Sequence, residues 1–398
     1  MGVPLYLAAS AVPDGGLFRA QRYRDVHLYG QFADAVFHGR IPYRDFFMEY
    51  PPGALAVFLP PRLFVSGGDY IDAFKVLMAL CGAATLLLVV LLLVRLGASA
   101  RHIWLATLLL ALSPLALGPI SLNTYDAFPA MLTVASLVAL AWGWDLLALG
   151  ILGAAVAAKV YPVVVVPVAL VFVWRNRGSR RAVTAFGVAM AVAAAVVIPF
   201  LALAPHGLGE SFRAQTGRGL QLEGLGAQSL VAADHVGAYS ATVVHRTRHA
   251  ISYDLVGDLP DALTTAGSVL QVVAVAAAAF VYARGRADLQ RLVVAAAASV
   301  AGFLAFSRVL SPQYVEWLVP LVLLVYAPLA WALLAATLVV AQTWFFHYGT
   351  LVDLSQRNWL VLVRDVLLVA VFALLLGAAA KDEDPVPLED ELPLRAPA

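Results

Sequence analysis

Residues 25–52 read D-V-H-L-Y-G-Q-F-A-D-A-V-F-H-G-R-I-P-Y-R-D-F-F-M-E-Y-P-P. The stretch gathers Asp25, Asp34, Asp45 and Glu49 among His27, His38, Arg40, Arg44 and several rings, in a chain otherwise nearly free of charge. Asp25, Tyr29, Phe32 and Val36 recur at helical spacing, and Gly39 followed by Pro42 stops the run, so a short helix lying on an apolar surface is predicted here. Pro51-Pro52-Gly53 then forces an extended turn before a further apolar segment, Ala54 to Leu59.

The chain around this stretch is that of an integral membrane protein. It has 398 residues, of which 62% are hydrophobic and 13% charged, with a mean hydropathy of +0.84. Soluble domains carry about twice that charge. A net charge of +1 gives no basic face for a phosphate backbone, which excludes nucleic acid as a partner class. The single cysteine, Cys81, lies in an apolar run and provides for neither an intrachain disulfide nor a thiolate metal site.

A helix that crosses the bilayer needs about 20 apolar residues. Apolar runs occur at 3–12, 73–94, 103–117, 128–141, 146–158, 160–174, 183–204, 263–283, 292–305, 315–326, 329–346 and 360–380. The expected fold is an all-α polytopic membrane domain over residues 1–380 with about 12 spans, several of them short and tilted, and helical external loops. The first run is too short to span alone and has no basic flank to mark a signal peptide, so it reads as the end of a first span, its start either truncated or misassigned. External segments are expected at about 13–70 and 205–260, and an acidic, proline-rich tail, 381–398, as a disordered cytoplasmic end.

Basic residues orient the chain. Arg95 with Arg101, then Arg175, Arg177, Arg180 and Arg181, then Arg284, Arg286 and Arg291 fall on one side if spans alternate, and that side reads as cytoplasmic. Both termini follow it. The opposite face receives residues 25–52, Asn123-Thr124-Tyr125-Asp126, Lys159-Val160-Tyr161-Pro162, the segment 205–260, the loop Ser307–Tyr314 and residues 347–357.

Any acid–base chemistry must come from these outer pieces. Asp25, beside His27 and Tyr29 and flanked by Arg22 and Arg24, has the character of a partly desolvated base for a sugar hydroxyl; as a helix-starting residue it equally suits an N-cap, and the two roles coexist. Asp45 and Glu49, four residues apart, make either a second acidic pair or an ion-pair cluster with Arg40 and Arg44. Asp126 is a second external acid or a cap. Lys159 and Arg308 follow apolar runs where a cation snorkels to headgroups or holds a phosphate. Arg218, Gln221 and Glu223 form a polar loop cluster, and Tyr161, Gln313 and Tyr314 add rings and an amide. His245 and His249, at i and i+4, could clamp a metal but have no third ligand at helical spacing, so no metal site is expected. The sequence has no nucleotide-binding glycine motif and no internal repeat.

These pieces resemble a family. The segments D-V-H-L-Y…G-R-I-P-Y-R-D-F…E-Y-P-P-G, N-T-Y-D-A-F-P-A, K-V-Y-P, R-G-L-Q-L-E-G-L and S-R-V-L-S-P-Q-Y are similar, in order, to the bacterial polytopic GT-C glycosyltransferases of family 87, which include mannosyltransferases that use polyprenyl-phosphate-mannose. The resemblance implies a polyprenyl-phosphate sugar as donor with no other cofactor, a lipid or glycan acceptor, inverting transfer at the outer face of the plasma membrane, and an acid in the first external loop as base. Here that residue is Asp25, with Asp45, Glu49 or Asp126 as a second acid. Lys159 and Arg308 would hold the phosphate, and Tyr29, Tyr161 and Tyr314 the sugar. A transporter or lipid flippase, or a membrane scaffold, is the rival class. Transporters place polar, broken helices at the bilayer midplane, whereas the polar residues here gather at helix ends.

Overall fold

The computed structural model describes residues 1–12, 25–65, 69–246, 252–345 and 347–381. The tail expected to be disordered lies, from residue 382 onward, outside the described residues, as do Arg22, Arg24 and His249.

Every apolar run forms helix. Among the described residues six helices are long and apolar enough to cross a membrane: Tyr70–Arg95, Ala100–Leu117, Ser179–Leu203, Asp258–Arg284, Pro328–Phe345 and Asn358–Ala380. Four shorter apolar helices, Gly2–Ala11, Ala127–Ala141, Asp145–Ala158 and Leu289–Ala305, complete the bundle. The runs at 160–174 and 315–326 are split, each beginning as a 3-10 turn (Tyr161–Val165 and Pro312–Trp317) before becoming α-helix (Val166–Arg177 and Leu318–Leu323). Proline explains the breaks, since Pro162, Pro167, Pro312 and Pro320 each remove an N–H and suit only a first turn. By length and composition, six crossings are supported among the described residues, and the remaining apolar runs form helices too short to meet that measure.

The bundle packs through small residues. Asp145–Ala158 lies directly against Ser179–Leu203 at Gly153, where an added Cβ would stand 2.3 Å from the Ala189 carbonyl oxygen. Only glycine permits that approach. The outer faces of Ser179–Leu203 and Asp258–Arg284 remain apolar and uncovered, with only 6% and 17% of their most apolar windows buried, as lipid-facing helices require.

The bundle has two chemically different ends. At one end Arg95 donates to the Ala141 carbonyl (3.1 Å), Arg175 to that of Ala283 (2.9 Å) and Arg291 to that of Ala379 (2.8 Å), while Arg181 pairs with Asp145 at 3.0 Å. The three basic loops thus share one end, as alternation of spans requires. The other end carries the acids, rings and loops considered below.

One expectation is corrected there. The segment after Ala204 is not wholly helical: besides helices Pro205–Thr216 and Leu225–His235 it carries a three-stranded antiparallel sheet in the order β1 (Leu220–Gln221, between the two helices), β3 (Ser252–Leu255), β2 (Val243–Arg246). The β-branched pair Val243-Val244 and the ring of Tyr253 favour extended backbone. The sheet closes on a satellite core of Leu220, Leu222, Leu230, Leu255, Trp344 and Leu351.

Candidate active site

The Asp25–Phe37 helix forms where its spacing predicts and ends at Gly39, whose φ of +79° is a left-handed turn that suits glycine. Its buried face places Tyr29, 1% exposed, against Phe58 with ring centroids 4.2 Å apart, and edge-on to Tyr50 at 5.4 Å and Tyr125 at 5.7 Å. Tyr50 and Tyr125 meet each other at 5.3 Å. This ring cluster ties the opening stretch to the turn before Asp126, two segments some hundred residues apart. Gln215 fixes the neighbouring loop by donating to the Glu49 carbonyl at 3.1 Å.

Asp126 precedes the Ala127–Ala141 helix but does not cap it. Its carboxylate is 1% exposed and accepts from the Lys159 ammonium and, at 2.5 Å, from the Trp317 indole N–H. The Lys159 Nζ also faces the rings of Tyr125 (4.4 Å), Trp317 (5.1 Å) and Tyr314 (5.3 Å), a cation–π box. Tyr161 and Tyr314 stack on Trp317 at 4.0 and 4.4 Å, and the Tyr161 hydroxyl bonds Thr133 at 3.1 Å. Three loops distant in sequence thus converge on one ion pair.

A further side is built by the loops at 216–224 and 307–308. Arg308 donates to the Thr216 carbonyl at 2.6 Å, and its own carbonyl accepts from the Gln221 N–H at 2.9 Å. Arg218 lies in the loop so held; its charge reaches both Glu49 and Glu223, and its Nε is buried with no hydrogen-bond partner among the described residues. Gln221 donates to the Glu223 carboxyl, which also accepts from Tyr348 at 3.4 Å.

Asp25, Glu49, Asp126, Lys159 and Arg218 are therefore brought into one electrostatic neighbourhood, with Gln221 and Glu223 on its border and Gln313 and Tyr314 on the loop that supplies Trp317. Other predicted residues stand differently. Asp45 is outside the cluster in a surface ion pair with Arg44 at 2.9 Å, which holds its carboxyl down at about 2, so of its two readings the ion pair is the one observed. His27 projects into solvent. Tyr161 is 2% exposed and fully engaged by Trp317 and Thr133, a support for the box rather than a wall of it. Lys159 is already neutralised by Asp126 and Arg308 donates to a loop carbonyl, whereas Arg218 keeps a buried Nε with no hydrogen-bond partner among the described residues.

The surroundings tune Asp25. It remains in part accessible to solvent, yet burial beside the protein and repulsion from Glu49 and Asp126, offset in part by Lys159, push its carboxyl up to about 7. Burial also raises Glu49. A carboxyl titrating near neutrality is matched to taking a proton from a hydroxyl and returning it to water. Among the described residues no group of three or more His, Cys, Asp or Glu side chains is placed to hold a metal ion; His245 instead stacks on Tyr253.

The model of glycosyltransferase family 87 matches residues 47–312. That is two thirds of the chain. The chain belongs to glycosyltransferase family 87. No curated protein matches it. The protein is a membrane glycosyltransferase, and its matched segment contains Glu49, Asp126, Lys159, Arg218, Gln221, Glu223 and Arg308, while Asp25, Gln313 and Tyr314 lie outside it.

Sequence reasoning misses three parts of this candidate site. Trp317, the second donor to Asp126, falls inside the apolar run 315–326, which carries no sign of a polar partner. Glu316 is 6% exposed and borders a cavity of about 20 Å³, room for about one water, with Tyr6, Thr85 and Ser113. Arg364 and Asp365 have no exposed side-chain surface and pair at 2.8 Å within the Asn358–Ala380 helix; Arg364 also donates to the Glu223 carbonyl and faces Trp344 at 5.3 Å. A charged pair inside an apolar run was the available signal, since ionised groups there are retained only when they hold something.

Proposed function

We propose that this family 87 protein is an inverting GT-C-class mannosyltransferase that takes mannose from a polyprenyl-phosphate donor and passes it to a lipid or glycan acceptor at the outer face of the plasma membrane. Both termini would lie in the cytoplasm with the basic loops, by the excess of basic residues on that side. The observation that carries the reading is the placing of the Asp25 carboxyl, raised to about 7, among Glu49, the Asp126–Lys159 pair and Arg218 at the bundle end opposite the basic loops.

Asp25 accepts the acceptor's hydroxyl proton as that oxygen forms its bond to the anomeric carbon. The bond from that carbon to the phosphate oxygen breaks on the opposite face, and the electron pair leaves with polyprenyl phosphate. No nucleotide fold is required, because the donor is already activated. Arg218 supplies a guanidinium to the departing charge, worth most where water is excluded. The Asp126–Lys159 pair, with the buried Tyr125 and Trp317 rings behind it, supports the half-buried Tyr314 ring as a wall for the sugar, and no metal is invoked.

Protein in lipid bilayers, given radiolabelled polyprenyl-phosphate-mannose and a membrane lipid extract, is the test. Arg218→Ala is expected to raise the donor KM about tenfold or more, the loss of a hydrogen bond to a charged group. Arg308→Ala should change it less, and the reverse order would reassign the phosphate-binding cation. The pH dependence follows in sign from Asp25. A base works ionised, so activity is present above its pKa and lost as pH falls through about 7. A rate that is flat from pH 5 to 8 would remove Asp25 from this role.

A further inference from the structure

The Asp25 cluster leaves one group of rings unused. His245 on β2 and Tyr253 on β3 are cross-strand partners whose rings stack with centroids 4.4 Å apart and planes 11° from parallel. The Tyr253 ring stands 6.0 Å from that of Tyr348, whose hydroxyl donates to the Glu223 carboxyl at 3.4 Å. The series starts at an exposed imidazole, passes through two half-buried phenols, and ends at a buried carboxyl that Arg218 also faces. Arg218 acts electrostatically on Glu49 as well, so the end of the ladder and the transfer site lie within reach of one guanidinium.

Resting on the transferase reading, we propose that His245, Tyr253 and Tyr348 form a saccharide subsite that holds a pyranose ring of the acceptor, one step removed from the transferred sugar. A pyranose has an apolar C–H face and hydroxyl edges. The ring faces suit the first, and the exposed His245 imidazole and half-buried Tyr253 hydroxyl suit the second, with the buried Glu223 carboxyl fixing Tyr348 behind them. Among the described residues no arginine or lysine is stacked in the ladder. Arg246 of β2 points to the opposite sheet face and is paired with Asp254 at 2.6 Å. Ring faces, rather than a guanidinium or ammonium, are what the described residues of the platform present, which suits a neutral sugar.

Saturation-transfer NMR on the full chain in lipid nanodiscs tests this, with methyl α-mannopyranoside and methyl β-galactopyranoside as probes and glycerol 3-phosphate as headgroup surrogate. Saturation is expected on the pyranoside ring protons and not on glycerol 3-phosphate. His245→Ala, on an exposed side chain, and Tyr253→Leu are each expected to cut the signal about three- to tenfold, the value of one aromatic stacking contact. Asp25→Asn is expected to keep the sugar signal while transfer is lost, so the subsite and the transferase reading fail separately. The inference is overturned if no pyranoside receives saturation, if His245→Ala leaves the signal unchanged, or if glycerol 3-phosphate shows a His245-dependent signal.

Discussion

Replacing Asp25 by Asn is expected to lower the rate of sugar transfer about 10²- to 10⁴-fold, the usual contribution of a positioned general base, with the protein still folded. Asn retains the shape and one acceptor oxygen but cannot take the proton. It also removes a carboxyl that burial and two neighbouring acids disfavour in its ionised form, so stability at pH 8 should rise slightly rather than fall. The sign follows from the raised pKa: such a group weakens the fold as pH climbs above its unfolded value, and the substitution cancels that cost. Loss of transfer without loss of thermal stability separates a base from a structural residue. Equal product from wild type and Asp25→Asn would leave the cluster without its assigned chemistry.

The second large effect is on stability. Asp126→Ala is expected to destabilise the protein by about 3–5 kcal/mol, because it strands the Lys159 ammonium in a site that excludes water. The lysine side chain is 13% exposed and its partner carboxylate 1%, so little solvent can replace what is lost. Asp126→Asn removes the charge but keeps an oxygen for the Trp317 indole, and should cost less. The double variant Asp126→Asn, Lys159→Met, with no charge left to strand, should recover part of the loss. Thermal unfolding in detergent, followed by Trp fluorescence, reads all three. If Asp126→Ala unfolds at the wild-type temperature, the ion pair is not what joins the loops.

Much of this architecture was legible in the chain. The helix at Asp25–Phe37, its stop at Gly39, the apolar runs and the shared end of the basic loops follow from periodicity and from where charge can sit relative to lipid. Partnership was less legible. Lys159 reads as a phosphate-binding cation because its partner, Asp126, lies 33 residues away and reads as a helix cap. Trp317 and the Arg364–Asp365 pair are averaged away inside apolar windows, which report mean hydropathy and not which side of a helix meets protein. The sheet was missed since β1 is two residues long, and its partner lies beyond the intervening Leu225–His235 helix. Arg218 had the opposite history: in sequence it is one polar residue in a glycine-flanked loop, and only the folded loop shows its charge facing two acids.

The most direct measurement is the pH–rate profile of transfer in wild type and Glu49→Gln under saturating donor. Repulsion from Glu49 is one cause of the raised Asp25 pKa, so its removal should let Asp25 ionise at lower pH. The acid limb is expected near pH 7 in wild type and at lower pH in the variant. An acid limb that stays in place, or that moves upward, would contradict the placing of Asp25 as the base beside Glu49.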